Sequence, residues 1–354
     1  MIKFISSLIF LFFCLSSFFY GANFISTKLK NSSYSTKNIV HFTLWNKDAL
    51  IKDPIINDLR IALLEPQNGS YLSRANIFSQ NNKLNDNEIN FIIWRIFDIP
   101  IPQNLKKSYL WLLESPLTTD IEIHKIQKNF NKIFSWHKPS TNNKNIIYLP
   151  IPWVIDTSKH LRNGKKEVLL TILATYFPEK HPLNQTPLSN YSQREKTVIW
   201  FLETHPEDIF IYGKHWDAIQ SKLSDKARIN LSKQYKGYAP DKIEALGKSK
   251  FSFIFENTKF ESYVSEKIYD AMMARTVPVY SGAPDITQYV PQNCFINFHD
   301  FKNYQSLYTF LKNMPDTTYK KYLTCINNFM KHPEKLPNYY KNITKKIIRH
   351  LNLK

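Results

Sequence analysis

Glu256, Asn257, Tyr263, Glu266 and Lys267 bring carboxylates, an amide, a phenol and an amine into one short stretch. They follow Phe251-Ser252-Phe253-Ile254-Phe255, whose alternation has the two-residue period of a strand. A strand ending there delivers Glu256 and Asn257 to its carboxyl end, where open α/β sheets bind ligands. Ser265 can cap a helix that starts at Glu266. A helix N-terminus attracts phosphate, and Lys267 in the first turn adds a full positive charge. Glu266 beside it can accept hydrogen bonds from ribose hydroxyls. The set fits a nucleotide diphosphate sugar held without a Gly-rich loop. The chain has only 7 Gly and neither a G-x-G-x-x-G nor a G-x-x-x-x-G-K-[ST] run. Alone, a Glu-Lys pair at a helix start is most often a solvated surface pair. The weight therefore rests on the whole segment, through Val277-Pro278-Val279-Tyr280-Ser281-Gly282.

The elements that must position these residues alternate between strand and helix. In the first half, short apolar runs occur at Ile39–Leu44, Leu59–Leu64, Ile89–Phe97, Ser108–Leu113, Lys132–Trp136 and Asn145–Leu149. The Pro-flanked stretch Leu149–Trp153 reads as the approach to an inter-domain connection. The second half offers strands at Glu167–Thr175, Ile209–Tyr212, Phe251–Phe255 and Val277–Tyr280. Helices are expected at Ser192–Glu203, Pro240–Leu246 and Glu266–Ala274. This alternation predicts doubly wound parallel sheets in two domains facing across a cleft. Phe301–Tyr322 and Ile343–Leu351 read as terminal helices, and Asn68–Asn90 shows no pattern.

A length of 354 residues allows two ordinary domains, and 43% hydrophobic residues can build their cores. The formal charge of +18 favours anionic partners, although abundant Lys, Asn, Ile, Phe and Tyr also fit a compositional bias. No zinc-finger spacing, RNP-type aromatic motif or basic helix with heptads speaks for nucleic acid. Of the 3 Cys, Cys14 lies in an apolar run, leaving Cys294 and Cys325 as one pair whose bonding stays open. Lys3 precedes the apolar stretch Phe4–Tyr20, so residues 1–22 read as a signal anchor or a cleaved signal peptide, and 23–38 as a linker or stem. Six N-x-[ST] sequons begin at Asn31, Asn68, Asn184, Asn190, Asn230 and Asn342.

Phe251–Gly282 closely resembles the donor-binding signature of the α-1,3/4-fucosyltransferase family, glycosyltransferase family 10. That pattern is roughly F-x-F-x-x-E-N, then Y-[VI]-[TS]-E-K, then V-P-V-x-x-G, and every key position matches. The resemblance implies a GT-B-like α/β fold of two Rossmann-type doubly wound domains, preceded by the N-terminal apolar segment. Residues 39–160 would form an acceptor-side domain with the catalytic base, 161–330 a GDP-fucose-binding domain, and 331–354 a helical tail. Lys267 would neutralise the diphosphate and Glu266 would bind ribose. Tyr263 and Asn257 would contact diphosphate or fucose, and Glu256 would shape that region. Ser192-Gln193-Arg194 resembles the family stretch with an essential Arg, so Arg194 would be a second phosphate clamp. Leu112-Leu113-Glu114-Ser115-Pro116 resembles the family's E-S-P element, which makes Glu114 the expected general base. The implied reaction is an inverting transfer of L-fucose from GDP-β-L-fucose to a glycan hydroxyl, with O3 of N-acetylglucosamine as the expected nucleophile. No Asp-x-Asp motif occurs. No obligatory metal or cofactor is therefore expected, and stimulation by Mn²⁺ stays open. A membrane-held, single-pass type II protein is implied, in the Golgi if the source is eukaryotic, with a secreted or periplasmic form as the alternative. The sequence departs from the family where Ser281 stands in place of a frequent Trp, and where Ala174-Thr175-Tyr176 replaces a Ser-Asn stretch. The competing expectation is a non-catalytic binder of anionic glycans or polyanions on a degenerate transferase fold.

Overall fold

The computed structural model describes residues 39–44, 55, 58–59, 72–77, 89–94, 108–113, 127–138, 143–154, 165–178 and 186–351. The N-terminal half carries a six-stranded sheet in the order β2-β1-β3-β4-β5-β6. Its strands are β1 (Ile39–Leu44), β2 (Leu72–Ile77), β3 (Ile89–Trp94), β4 (Ser108–Leu112), β5 (Lys132–Ser135) and β6 (Ile146–Tyr148). The C-terminal half carries β7 (Val168–Leu173), β8 (Ile209–Tyr212), β9 (Ser249–Phe255), β10 (Val277–Ser281) and β11 (Ile296–Asn297). Their order is β11-β10-β9-β7-β8. All pairings within both sheets are parallel. Each sheet reverses direction between its first and third strands, and such switch points open crevices for ligands.

Parallel strands covered on both faces read as continuous apolar runs rather than alternating ones. β10 is buried at every residue, and β9 at all but Lys250. On β9, Phe251, Phe253 and Phe255 are each at most 3% exposed, a burial worth about 1.5–3 kcal/mol per side chain. Helix α1 (Tyr191–Thr204) lays Val198, Phe201 and Leu202 on this sheet, with Phe201 edge-on to Phe253 at 5.6 Å. Helix α2 (Asp225–Gln234) is capped by Ser224, and α3 (Lys242–Gly247) by Asp241, whose carboxylate accepts from two backbone amides. Helix α4 (Glu266–Met273) connects β9 to β10.

The single helix expected over Phe301–Tyr322 is two: α5 (Tyr304–Lys312) and α6 (Asp316–Met330). Pro315 lies between them, and its preceding residue is disfavoured in helical conformation. Leu59, the first residue of a run read as strand-like, is helical. The rest of that run lies outside the described residues. Cys294 and Cys325 form a disulfide that ties the turn before β11 to α6. Asn190 is fully buried, so the sequon there cannot carry a glycan in the folded chain.

The last helix, α7 (Tyr340–His350), leaves the C-terminal half. Its Ile343 and Ile347, with Leu351 beyond it, pack on Tyr109, Trp111, Phe134 and Leu149 of the N-terminal half. The chain thus passes between the halves twice, and Trp153 and Tyr339 pair side by side as a parallel bridge. Elsewhere the halves meet at Trp136 and Tyr263, with ring centroids 4.8 Å apart, and at the Tyr148 and Tyr289 hydroxyls, 2.6 Å apart. Among the described residues no helix is long and apolar enough to cross a membrane. The apolar segment of residues 1–22 lies outside them.

Candidate active site

A cavity of about 360 Å³ opens at the carboxyl ends of β7 and β9, at the switch point of the C-terminal sheet. Ala174 and Thr175 line it from the β7 side, Phe255 and Asn257 from the β9 side. Glu266 and Lys267 close one wall, and Arg194 and Tyr191 another. The cavity floor depends on Gly213. Its φ of +126° belongs to glycine, and a Cβ there would run into the Ala174 carbonyl.

The sequence-predicted residues divide into two groups. Asn257, Glu266, Lys267 and Arg194 line the cavity. Glu256 and Tyr263 do not. Glu256 is fully buried beneath the start of α4. Its Oε1 accepts from the Ser265 amide at 2.8 Å, and its Oε2 accepts from Ser265 Oγ at 2.6 Å. Ser265 in turn caps α4, and Lys267 Nζ donates to its Oγ at 2.9 Å. Lys267 Nζ also stands 3.4 Å from Glu256 and 3.8 Å from Glu266. Burial works against the Lys267 charge, but Glu266 and then Glu256 outweigh it and raise the pKa. The ammonium is thus charged, mostly buried and anchored at a helix N-terminus, the arrangement that receives a phosphate. Gly282 lies against the same carboxylate, because a Cβ there would strike Glu256 and Tyr280.

Arg194 is buried, and one of its Nη atoms is committed. That atom donates to the Phe255 carbonyl at 2.8 Å and to Asn257 Oδ1 at 2.9 Å. Its guanidinium lies over the Tyr191 ring at 4.4 Å. Burial lowers its pKa, while Tyr191 and Glu256 act the other way. Its Nε is buried with no partner among the described residues. Arg194 therefore orients the Asn257 amide from behind and presents charge across it to the cavity. Tyr263 is buried instead between Trp136, Ile151 and Phe260, where the two halves meet. Glu114 lies outside the described residues.

Sequence reasoning missed Tyr191, Asn190 and Asp285 as supports. Asn190 donates to the Ser281 carbonyl at 2.9 Å and accepts from Ser281 Oγ at 3.2 Å, locking α1 to β10. Ser281 is thereby turned into a buried network that also reaches His299 at 3.0 Å. Asp285 accepts from the Ser262 amide at 2.7 Å and fixes the loop ahead of α4. None of these carried a sequence signal, because their partners are far away in the chain.

Residues 188–347 match the model of the glycosyltransferase family 10 (fucosyltransferase) C-terminal domain. This C-terminal stretch is thus similar to the corresponding domain of glycosyltransferase family 10. The match covers α1, α4 and the β9 side of the cavity, and leaves out its β7 side. The chain is 40% identical over 72 residues to an alpha-(1,3)-fucosyltransferase of Helicobacter pylori, spanning 20% of this chain and 15% of that protein. It is 30% identical over 155 residues to the mouse (Mus musculus) 4-galactosyl-N-acetylglucosaminide 3-alpha-L-fucosyltransferase 9, spanning 42% of this chain and 41% of that protein. The matched stretches thus span less than half the length of these curated relatives. A crystal structure of an alpha1,3-fucosyltransferase with GDP-fucose resembles it with a TM-score of 0.53 at 16% identity, covering 90% of each chain. Anabaena HepE in complex with UDP and glucose gives 0.54 at 8% identity, covering 89% of this chain and 99% of that one. At such identities the likeness concerns the fold: two doubly wound domains of GT-B type, as expected.

Proposed function

We propose that the chain is an inverting fucosyltransferase that moves L-fucose from GDP-β-L-fucose to a glycan hydroxyl, O3 of an N-acetylglucosamine, forming an α-1,3 linkage. What carries this reading is a coincidence of place. The family 10 match falls on the stretch that supplies the β9 and α4 walls of the switch-point cavity and carries Lys267, Glu266 and Asn257. The diphosphate sits at the N-terminus of α4 against Lys267, and Glu266 takes the ribose hydroxyls. Glu114, from the opposite half, removes the proton of the acceptor hydroxyl. That oxygen attacks C1 of fucose, the C1–O bond to GDP breaks, and negative charge builds on the leaving diphosphate. Lys267 and the helix N-terminus stabilise this charge, and Arg194 acts through Asn257. The reaction so drawn needs no resident metal, and chelation by EDTA leaves transfer intact. Residues 4–22 hold the protein to a membrane as a type II anchor, which resistance to carbonate extraction tests.

The decisive experiment incubates the protein with GDP-fucose and a panel of N-acetylglucosamine-containing acceptors, with linkages assigned by NMR. Glu114→Gln is expected to keep GDP-fucose binding while turnover falls by about a hundredfold or more. Loss of donor binding in that variant would remove Glu114 from the role of base. GDP should raise the melting temperature by ligand linkage. An equal response to inorganic polyphosphate would instead support a generic polyanion binder.

A further inference from the structure

Helix α4 orders the cavity along its axis. The diphosphate belongs at its N-terminus with Lys267, and ribose belongs at Glu266. Asp270 lines the same cavity one turn further along. At a rise of 1.5 Å per residue it lies about 6 Å beyond Glu266, where the base of a nucleotide follows its ribose. Asp270 Oδ1 accepts a long hydrogen bond from Trp153 Nε1 at 3.4 Å. Among the described residues the other oxygen has no hydrogen-bond partner, and the residue lines the cavity. Apolar Leu173, Ala239 and Leu246 form walls around it. Tyr238 stands at the rim, 67% exposed, with Lys214 Nζ 5.8 Å from its ring centroid. A carboxylate aimed into an apolar slot beside a ribose site is an arrangement for reading the edge of a base.

We propose that Asp270 makes this site guanine-specific by accepting hydrogen bonds from N1–H and the N2 amino group of the base. This rests on the nucleotide reading given under the proposed function, and it adds how the nucleotide is chosen. A carboxylate offers two acceptors, and guanine offers two adjacent donors on that edge. Adenine offers one donor and one acceptor there, so a carboxylate meets a lone pair. A protonated carboxyl offers one of each, which suits adenine better than guanine. Ionisation of Asp270 thus switches the preference.

The groups facing Asp270 set where that switch lies. Glu266 and Lys267 share its helix, Lys242 faces it from α3, and Trp153 donates from the crossing between the halves. Burial and then Glu266 raise its carboxyl to about 7, against the pull of Lys242 and Lys267. Selectivity for guanine over adenine therefore strengthens as pH rises through neutrality.

The test is titration calorimetry of the full chain with GDP, IDP and ADP at pH 6 and pH 8, for the wild type and Asp270→Asn. Asparagine keeps an oxygen for Trp153 but loses the second acceptor, and its amide suits adenine. For the wild type the expected order is GDP over IDP over ADP, because IDP keeps N1–H and lacks the amino group. The GDP-to-ADP ratio should grow from pH 6 to pH 8. In Asp270→Asn this ratio should fall by about tenfold or more and lose its pH dependence, since an unpaired donor in a closed site is costly. An unchanged ratio in the variant overturns the proposal. So does a wild-type ratio that is flat with pH, a result that does not depend on the variant folding. Failure of the wild type to bind any of the three nucleotides would instead overturn the nucleotide reading on which it rests.

Discussion

Glu256 separates two accounts of the site, as a donor contact or as an anchor for the residues that make the contact. The structure places it under the cavity, accepting from the Ser265 amide and Oγ and standing 3.4 Å from Lys267 Nζ. In Glu256→Gln one acceptor oxygen becomes an amino group and the charge disappears. Losing one buried charge-assisted hydrogen bond costs about 2 kcal/mol. The Lys267 pair adds at most about 1 kcal/mol, because that side chain is 28% exposed and water screens it. A total of about 2–3 kcal/mol lowers the melting temperature by roughly 5–10 °C for domains of this size. The assay is thermal unfolding of the ligand-free protein, paired with calorimetric titration of GDP. The anchor account expects both the loss in melting temperature and weaker GDP binding, as the Ser265 cap and Lys267 lose their tether. A ligand-free melting temperature within a degree of the wild type, with GDP binding lost, would refute it and make Glu256 a direct contact.

Lys267→Ala should weaken GDP binding by about tenfold or more while shifting ligand-free stability little, because it removes one charge-assisted contact to phosphate; wild-type transfer rates in that variant would refute the site. Gly213→Ala should destabilise by about 3 kcal/mol or more and abolish GDP binding, since its φ of +126° and the Ala174 carbonyl leave no room for a methyl group; a chemical denaturation curve reads it. Reducing the Cys294–Cys325 bond, which closes a loop with a separation of 31 residues, should cost about 3–4 kcal/mol, seen as a lower melting temperature in dithiothreitol. Asp270 has a folded-state pKa of about 7, above its unfolded value of 3.8, so the folded state holds its proton more tightly and stability falls as pH rises from about 4 to 7. Asp270→Asn should flatten that part of the stability profile, and denaturation at pH 5 and pH 7 compares the two.

Much of the C-terminal half could be read from local chemistry. The alternation before Glu256, the Ser265 cap and the amphipathic run after Lys267 each act within a few residues, so strand, loop and helix follow from the sequence. The break at Pro315 was also written there, although Phe301–Tyr322 was read as one helix. β2 was not legible, because Leu72–Ile77 places Arg74 and Asn76 inside a strand and shows no period. The roles of Arg194 and Tyr263 depend on partners that only tertiary packing supplies. Arg194 meets Asn257 63 residues away, and Tyr263 meets Trp136 across the two halves. A motif thus names residues that belong to a site without saying which of them touch ligand and which hold the others in place. Asp270 shows the converse: the same helix that carries the motif places an unremarked carboxyl in the cavity.

The return of α7 to the N-terminal half also bears on synthesis. The core around Trp111 and Phe134 is missing Ile343, Ile347 and Leu351 until synthesis has passed the whole C-terminal sheet. The C-terminal sheet and its cavity, by contrast, are drawn from one uninterrupted stretch ending at α6. The later-made half can therefore fold first, as a unit inserted into a partner that must wait. During that wait the apolar faces of β4 and β5 stay open, so a stalled or truncated chain would present a finished C-terminal domain joined to an aggregation-prone sheet.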